Sequence, residues 1–257
     1  MFLTIRLKKQ FWLGTLAMLC IGAFAFCTIN ARHRRNEDII RMASAQNATG
    51  AKCDSDEKVV YLTFDDGPSD TTAAVLDILK ENGVNATFFV MADGNNTKNL
   101  PILERTKAEG NVVALHTSSH EYSQIYKTAE AYWQDLDLLR SIVEPFVGEV
   151  PNLLRFPGGS TNSVAKRSVM EKLIVDCGEK GYRYFDWNVC ANDSVGKKRT
   201  AEYITNTVTK EAAKHKKAIV LFHDAKRNDT SAEALPAIIK WFKDNGYRFD
   251  TVDNLPV

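Results

Sequence analysis

Cysteine is scarce in this sequence, and its spacing excludes two common ways of stabilising a protein domain. The 257 residues contain five cysteines and no Cys-x-x-Cys pair, so neither a dense disulfide framework nor a structural zinc site made of cysteines is expected. Cys20 and Cys27 lie in an apolar segment, which leaves Cys53, Cys177 and Cys190 outside it. Cys177 and Cys190 either pair in an oxidising compartment or remain free as small core residues.

The sequence also lacks the excess of basic charge that nucleic-acid binding requires. Lys and Arg total 33 and Asp and Glu total 32, but residues 1–35 hold six basic side chains and no acidic one. The remaining residues therefore carry 27 basic and 32 acidic side chains, a net charge of −5. An acidic domain without a basic stripe is a poor match for a phosphate backbone, so we expect no nucleic-acid partner.

Long hydrophobic runs are absent after residue 31, which excludes a multi-span membrane protein. The one such run, residues 10–31, has no charged side chain and is long enough to cross a bilayer as a helix. We interpret residues 1–35 as a membrane anchor or signal segment, 36–56 as a flexible linker and 57–257 as the folded domain. An uncleaved anchor predicts a single-pass protein of the cell membrane with an extracellular domain, whereas cleavage near the small-x-small triplet 23–25 predicts secretion.

The rest of the chain contains a regular alternation of short apolar runs with amphipathic segments. Apolar, β-branched runs predict strands at 59–64, 86–91, 112–116, 153–156, 182–189 and 218–223. Apolar residues at helical spacing predict a helix between Ser69 and Gly83, followed by helices at 102–109, 129–147, 164–180, 201–214 and 232–245. This alternation is typical of an α/β fold with a parallel sheet, either an open doubly wound sheet or a barrel.

Polar side chains follow these predicted strands at their carboxyl ends, where the active sites of parallel α/β folds form. His116 and His120 are four residues apart, so on one turn their rings can face the same side and bind one metal ion. A carboxylate from a neighbouring strand would make this a catalytic rather than a structural metal site. Asp65 and Asp66 can supply it, because adjacent side chains of an extended chain point to opposite sides and can serve as ligand and free base.

Five short motifs at these strand ends resemble, in order, the five motifs of the polysaccharide deacetylases, the NodB-homology or carbohydrate esterase family 4 enzymes. The motifs are TFDDGPS (63–69), HTSSH (116–120), RFPGG (155–159), DWNVCANDS (186–194) and LFHD (221–224). The resemblance extends over residues 57–254, and the first two motifs together are highly specific. It implies a distorted (β/α) barrel that removes acetyl groups from N-acetylglucosamine units with metal-activated water, as bacterial peptidoglycan deacetylases do.

The same resemblance implies a metal site and a general base. Asp66, His116 and His120 would hold one divalent ion, zinc by preference, with Co²⁺, Mn²⁺ or Ni²⁺ as alternatives. Asp65 would take the proton from the bound water, and Arg155 would hold Asp65 ionised and in place.

The resemblance also implies a proton donor and a substrate pocket. His223 would protonate the leaving amine, which cannot depart as an anion, and Asp193 would raise the pKa of His223. Leu221 would line the pocket for the acetyl methyl group. The further candidates for substrate binding are Pro157, Gly158 and Trp187.

The chain departs from the family pattern at three positions. Gly158 stands where an aromatic residue usually follows the proline of the third motif, and Ser194 stands where a tryptophan usually follows the aspartate of the fourth. Cys190 replaces an aspartate often found three residues before Asp193. The core chemistry is expected to survive, because glycine keeps the backbone N–H that the family uses for the oxyanion. We expect the three departures to affect which substrate the enzyme prefers.

Three functions are compatible with these residues. The favoured one is a membrane-tethered, monomeric deacetylase that acts on N-acetylglucosamine units of cell-wall peptidoglycan. The second is an esterase that removes O-acetyl groups from xylan or another glycan, and the third is a sugar-binding protein without catalysis. The third predicts a missing ligand or acid, and none is missing.

Overall fold

Residues 57–256, the part of the chain that the computed structural model describes, form eight parallel strands and seven α-helices that largely alternate along the chain. The strands are β1 (Lys58–Asp65), β2 (Thr87–Met91), β3 (Val112–Thr117), β4 (Leu153–Leu154), β5 (Arg183–Tyr184), β6 (Val189–Cys190), β7 (Lys217–His223) and β8 (Tyr247–Asp250). The helices are α1 (Asp70–Asn82), α2 (Ile102–Ala108), α3 (Tyr122–Ile125), α4 (Ala129–Val147), α5 (Arg167–Glu179), α6 (Ala201–Ala212) and α7 (Asp229–Asp244).

The predicted membrane span at 10–31, the linker at 36–56 and Cys53 lie outside the described residues. Within residues 57–256, no helix has both the length and the apolar character needed to cross a bilayer. Cys177 and Cys190 are both free thiols, so the pairing considered for them is not formed in this structure.

The local signals for helix ends are confirmed at α1 and α4. Ser69 caps α1 by accepting a hydrogen bond from the N–H of Thr71, while the Thr72 hydroxyl accepts one from the N–H of Ser69. Gly83 ends this helix at a φ of 63°, a left-handed conformation that costs glycine little. The nineteen-residue helix α4 has the bounds predicted from the sequence.

One continuous sheet positions the strand ends, and β1 lies near its centre. The strand order is β5-β4-β3-β2-β1-β7-β6, and β8 pairs with β1 outside this path. On one side β1 pairs with β7 along its length, which sets Asp65 opposite His223. On its other side β1 pairs with β8 through its first half and with β2 through its second half. The sheet therefore curls into an open, parallel half-barrel of the α/β class.

The prediction of a single strand over 182–189 is wrong. That segment contains β5 and the first residue of β6, two short strands that lie at opposite edges of the sheet. Phe185 donates its N–H to Leu154 at one edge, and Asn188 donates its N–H to Ile219 at the other. Because the curved sheet brings its edges close together, residues 185–188 pass directly from one edge to the other.

Other predicted bounds differ from the structure by a few residues. The strand predicted at 153–156 contains only the two residues of β4, helix α5 begins at Arg167 rather than at 164, and helix α7 begins at Asp229 rather than at 232. Strand β8 was not predicted, because its sequence YRFD lacks a continuous apolar run. A weak strand preference in its own sequence is enough, because hydrogen bonds to the first half of β1 hold it in the sheet.

The two faces of β1 pack against different neighbours. On one face Phe64 stacks between Phe88 and Phe222, with ring centroids 5.1 and 5.4 Å away. The other face contributes Val59 and Tyr61 to the apolar cluster inside the half-barrel. A fully buried aromatic side chain of this kind contributes roughly 1.5–3 kcal/mol to folding. By the strand's alternation, Thr63 and Asp65 continue this inner face to the rim.

Candidate active site

The carboxyl end of β1 directs two carboxylates to one imidazole. Asp65 is the last residue of the strand and only 3% exposed, and Asp66 follows it at a φ of 72°. Nε2 of His116 lies 3.9 Å from Oδ2 of Asp65 and 3.5 Å from Oδ1 of Asp66. The expectation that the two side chains point to opposite sides is therefore corrected. The backbone is not extended at Asp66, and the left-handed turn brings its carboxylate back toward the same site.

The two histidines meet through a strand and a turn rather than through one helical turn. His116 lies within β3, and His120 follows the turn at Ser118 and Ser119 with a φ of 53°. Their ring centroids are 5.2 Å apart, and Nε2 of His120 lies 3.4 Å from Oδ1 of Asp66. The positive φ of His120 turns the chain back, so a spacing typical of a helix is achieved without one.

The tautomer of His116 is determined by its partner. Nδ1 of this ring lies 2.7 Å from the carbonyl oxygen of Arg155, which can only accept a hydrogen bond. Nδ1 therefore carries the hydrogen, and Nε2 presents its lone pair to the site. Burial lowers the pKa of His116 to about 3, so the imidazole is neutral near pH 7.

These side chains fit a divalent metal ion. The ligand atoms of Asp66, His116 and His120 lie within 4.8 Å of one another. Oδ1 of Asp66 is buried and has no hydrogen-bond partner, a costly arrangement unless a cation satisfies it. Two imidazoles and one carboxylate are the donor set of a catalytic metal site that keeps positions open for water and substrate.

Arg155 links the candidate base, Asp65, to the segment that crosses between the two edges of the sheet. Its Nη1 donates to Oδ1 of Asp65 and to the hydroxyl of Thr63, both at 2.8 Å. Its Nε donates to the carbonyl of Phe185 at 2.9 Å, and Nη2 donates to the carbonyl of Asp186 at 3.3 Å. The guanidinium therefore links β1 to the segment that crosses between the sheet edges.

The environment of Asp65 contains two opposing influences on its acidity. Burial raises the pKa of this carboxyl above its usual range, although the positive charge of Arg155 and its hydrogen bond act in the other direction. The expectation that Arg155 by itself keeps Asp65 ionised is therefore too simple.

A second titratable pair lies across from Asp65. Nδ1 of His223 is 2.8 Å from Oδ1 of Asp193, whose Oδ2 accepts the backbone N–H of His223 at 2.8 Å and the Ser231 hydroxyl at 2.6 Å. Burial by itself lowers the pKa of His223, but the hydrogen bond and charge of Asp193 outweigh it and raise that pKa to about 9. Burial acts to raise the pKa of Asp193, but the hydrogen bonds from His223 and Ser231 and the charge of His223 together outweigh it and lower that pKa.

The turn between the two histidines is held by a residue that sequence reasoning missed. Asp135 of α4 accepts the backbone N–H of Ser118 at 2.5 Å and that of Ser119 at 3.2 Å. Its only signal in the sequence is an acidic residue at the half-buried edge of an amphipathic helix, which is common on solvated helix faces.

Asp224 is a buried residue next to the site, and its contacts were not predicted from the sequence. It is buried beneath the turn that follows β1, and its Oδ2 accepts the Thr72 hydroxyl at 2.5 Å. Burial raises the pKa of Asp224 to about 7. A Cβ at Gly67 would lie 2.2 Å from this carboxylate, so only glycine fits here.

The predicted substrate-binding residues surround the same rim. Leu221 is 5% exposed and lies two residues before His223, on the same face of β7. The ring of Trp187 lies 5.5 Å from the Arg155 guanidinium carbon, on one side of the site. Pro157 is buried and its carbonyl accepts the Tyr126 hydroxyl at 2.8 Å, whereas Gly158 is exposed with a φ of 76°.

A cleft of about 470 Å³ opens beside Asp66 and His120. The loops after β1, β2, β3 and β7 form its walls, which include Asp93, Asn96 and Lys226. Hydroxyl, amide and charged groups of this kind suit a ligand rich in hydroxyl groups. The structure thus brings all eleven predicted site residues to one end of the half-barrel.

Comparison with known proteins gives a consistent family assignment. The polysaccharide deacetylase family model matches residues 52–177. A peptidoglycan-N-acetylglucosamine deacetylase of Bacillus cereus is 30% identical over 250 residues, covering 91% of this chain and 88% of that protein. The peptidoglycan-N-acetylmuramic acid deacetylase PdaA of Bacillus subtilis is 33% identical over 203 residues, covering 77% of this chain and 72% of that protein.

A solved structure agrees with these sequence matches. The catalytic domain of peptidoglycan N-acetylglucosamine deacetylase from Eubacterium rectale superposes with a TM-score of 0.74 at 35% identity, covering 78% of this chain and 90% of that one. The chain belongs to the polysaccharide deacetylase family. It is therefore an enzyme that hydrolyses amide bonds of acetylated sugars.

Proposed function

We propose that this protein is a metal-dependent hydrolase that removes the acetyl group from N-acetylglucosamine units of peptidoglycan. One observation carries the proposal. The Asp66–His116–His120 cluster lies at the strand ends, with the buried carboxylate of Asp65 on the inner face. His223, at the end of the neighbouring strand β7, is paired with Asp193. Metal-assisted amide hydrolysis uses these three elements, as metal site, general base and general acid.

The donor set favours zinc as the metal, with Co²⁺, Mn²⁺ or Ni²⁺ able to replace it. Asp66, His116 and His120 would be its ligands. When bound, the ion supplies Lewis acidity toward the acetyl carbonyl and lowers the pKa of a coordinated water.

Asp65 acts as the general base. Its Oδ1 is held by Arg155, so Oδ2 is the oxygen that faces the imidazole of His116 and the reacting groups. Burial makes this carboxylate a stronger proton acceptor than an exposed aspartate, while Arg155 prevents it from rotating away. Asp65 therefore accepts a proton from the attacking water.

His223 acts as the general acid for the leaving amine. Its Nδ1 is committed to Asp193, so Nε2 is the nitrogen available to donate a proton. Its pKa of about 9 keeps the ring protonated at neutral pH. Asp193 is in turn oriented by Ser231 and by the backbone of His223, so the donor is positioned before substrate binds.

The substrate lies along the rim of the half-barrel. Leu221 and Trp187 are placed to contact the acetyl group, and Pro157 and Gly158 form the adjoining turn. The cleft beside Asp66 takes neighbouring sugar units. The relative from Bacillus cereus is named for N-acetylglucosamine and supports this sugar as the substrate, whereas the relative PdaA is named for N-acetylmuramic acid.

We propose that the enzyme acts outside the cell, held at the membrane. Residues 10–31 anchor the chain in the cell membrane and residues 36–56 tether a monomeric extracellular domain, so that the enzyme reaches nearby cell-wall polymer. Cleavage of the N-terminal segment would release a secreted form. Protease accessibility of the domain on intact cells distinguishes an external from an internal domain.

Acetate release from three substrates tests the activity. Zinc-loaded protein is incubated with peptidoglycan, chitin oligomers and O-acetylated xylan, with His223→Ala as the matched inactive variant. We expect acetate from peptidoglycan, with the mass loss located on glucosamine in the digested fragments, and no activity after chelation. Release from xylan alone would indicate an O-acetyl esterase. No release from any glycan by protein that holds metal would indicate a sugar-binding protein.

A further inference from the structure

Two hydrogen-bond donors lie side by side next to the metal-ligand cluster. Tyr122, the first residue of α3, meets His120 edge-on, with ring centroids 5.2 Å apart and an interplanar angle of 82°. A Cβ placed on Gly158 would lie 3.2 Å from Oη of Tyr122 and 3.5 Å from its Cε1. The edge of the phenol therefore covers the α-carbon of Gly158, and its hydroxyl lies beside that glycine.

Neither donor has a partner in the part of the chain that the structure describes. The N–H of Gly158 makes no hydrogen bond there, and no residue between 57 and 256 bonds the Tyr122 hydroxyl. The nearby Tyr126 differs, because its hydroxyl is buried and donates to the carbonyl of Pro157. Tyr126 thus holds the turn in place, while the hydroxyl of Tyr122 is left for a ligand.

The hydroxyl of Tyr122 is suited to donate to a ligand. A phenolic O–H is a hydrogen-bond donor, and no acceptor within residues 57–256 takes this one. It is therefore free to donate to an oxygen that a substrate brings in.

Hydrolysis of an acetamide requires such donors. As water adds to the acetyl carbon, negative charge develops on the carbonyl oxygen, and donors fixed in advance lower the barrier. We propose that Tyr122 is a catalytic residue whose hydroxyl donates a hydrogen bond to the carbonyl oxygen of the scissile acetyl group, next to the N–H of Gly158. This inference rests on the proposed function. Tyr122 keeps its proton throughout: the carbon–nitrogen bond breaks, the amine takes its proton from His223, and acetate departs.

The absence of a side chain at Gly158 allows the phenol of Tyr122 to lie this close to the backbone. A methyl group there would lie unusually close to the Tyr122 hydroxyl, at 3.2 Å, and at a φ of 76° that alanine adopts only with strain. Glycine therefore lets the phenol approach the turn closely enough for its hydroxyl and the backbone N–H to reach one oxygen.

Tyr122→Phe tests the proposal, with Tyr203→Phe as the matched control. The control removes a hydroxyl from an exposed tyrosine of α6. We expect Tyr122→Phe to lower kcat for acetate release about 100-fold, as for loss of one oxyanion donor, with KM little changed. Bound metal should stay stoichiometric, because phenylalanine still packs against His120. Tyr203→Phe should match the wild type in all three measurements.

Two results would overturn the inference. Wild-type kcat in Tyr122→Phe would show that the hydroxyl does not contact the reacting oxygen, and loss of metal would show that Tyr122 acts only by orienting His120. A binding measurement keeps the test independent of turnover. Acetate titrated into the zinc-loaded protein should bind about tenfold more weakly to Tyr122→Phe. If the wild type releases no acetate from any glycan, the proposed function fails, while equal acetate affinities would reject the role of Tyr122.

Discussion

The guanidinium of Arg155 lies 2.8 Å from Oδ1 of Asp65, and the two side chains are 0% and 4% exposed. The same guanidinium binds the carbonyls of Phe185 and Asp186. A single buried cation therefore orients the candidate base and fastens the segment that crosses between the edges of the half-barrel. This double role makes Arg155 important to both folding and catalysis.

We expect Arg155→Met to lower the free energy of unfolding by about 3–5 kcal/mol, because it leaves a buried carboxylate without its partner. Urea unfolding followed by circular dichroism measures the change. Arg248→Met is the control, since Arg248 pairs with Glu57 and Asp250 at the surface, where ion pairs contribute about 0–1 kcal/mol. Equal effects of the two substitutions would contradict the structural role given to Arg155.

Asp65→Asn and Asp66→Asn should separate the base from the ligand. Asp65→Asn should keep stoichiometric metal and lose nearly all activity, because an amide cannot accept the proton of water. Asp66→Asn should weaken metal binding, because a neutral amide oxygen is a poorer donor to a divalent cation. Metal content after dialysis and the rate of acetate release are compared for each variant. Loss of metal in Asp65→Asn with retention in Asp66→Asn would reverse the two roles.

Asp193→Asn should shift the alkaline limb of the pH–rate profile. The pKa of His223 is about 9, so activity that needs its protonated form falls as pH rises through that value. Without the charge of Asp193, burial lowers the pKa, and the limb should move to lower pH by roughly one unit or more. Ser231→Ala removes only one hydrogen bond to Asp193 and should shift the limb less. An unchanged limb in Asp193→Asn would remove His223 as the acid.

The same pair predicts a pH dependence of stability. A histidine whose pKa is raised in the folded state stabilises the fold fully below its unfolded pKa of about 6.5, and this contribution is lost as pH rises through about 9. The destabilisation caused by Asp193→Asn should therefore be larger at pH 6 than at pH 10. Urea unfolding at the two pH values measures the difference.

Asp135→Ala should weaken metal binding although it removes no ligand. The substitution leaves the N–H groups of Ser118 and Ser119 without their acceptor, so the turn that carries His120 loosens. Loss of such a positioning contact typically costs about 10–100-fold in metal affinity. Asp137→Ala on the exposed side of the same helix is the control and should bind zinc as the wild type does. Competition with a chelator measures both affinities, and equal values would reject the positioning role.

The elements with strong local signals could be predicted from the sequence. Apolar runs and caps such as Ser69 and Gly83 depend on neighbours a few residues away, so β1, α1 and α4 follow from the pattern. The metal-ligand cluster was also predictable, because parallel strands bring their carboxyl ends to one rim and Asp66, His116 and His120 all follow or end such strands.

Other features were decided only by the tertiary structure. The crossing at 185–188, the burial of Arg155 and the contact between Asp135 and the histidine turn depend on the curvature of the sheet and join residues far apart in the chain. The contact between the phenol of Tyr122 and Gly158 also depends on the tertiary structure. No sequence pattern predicts it, because the two residues meet only when their loops pack together. The sequence alone determined which groups stand at the rim. Long-range packing determined which of their atoms face one another, because the free energy of those contacts exists only once the half-barrel has formed.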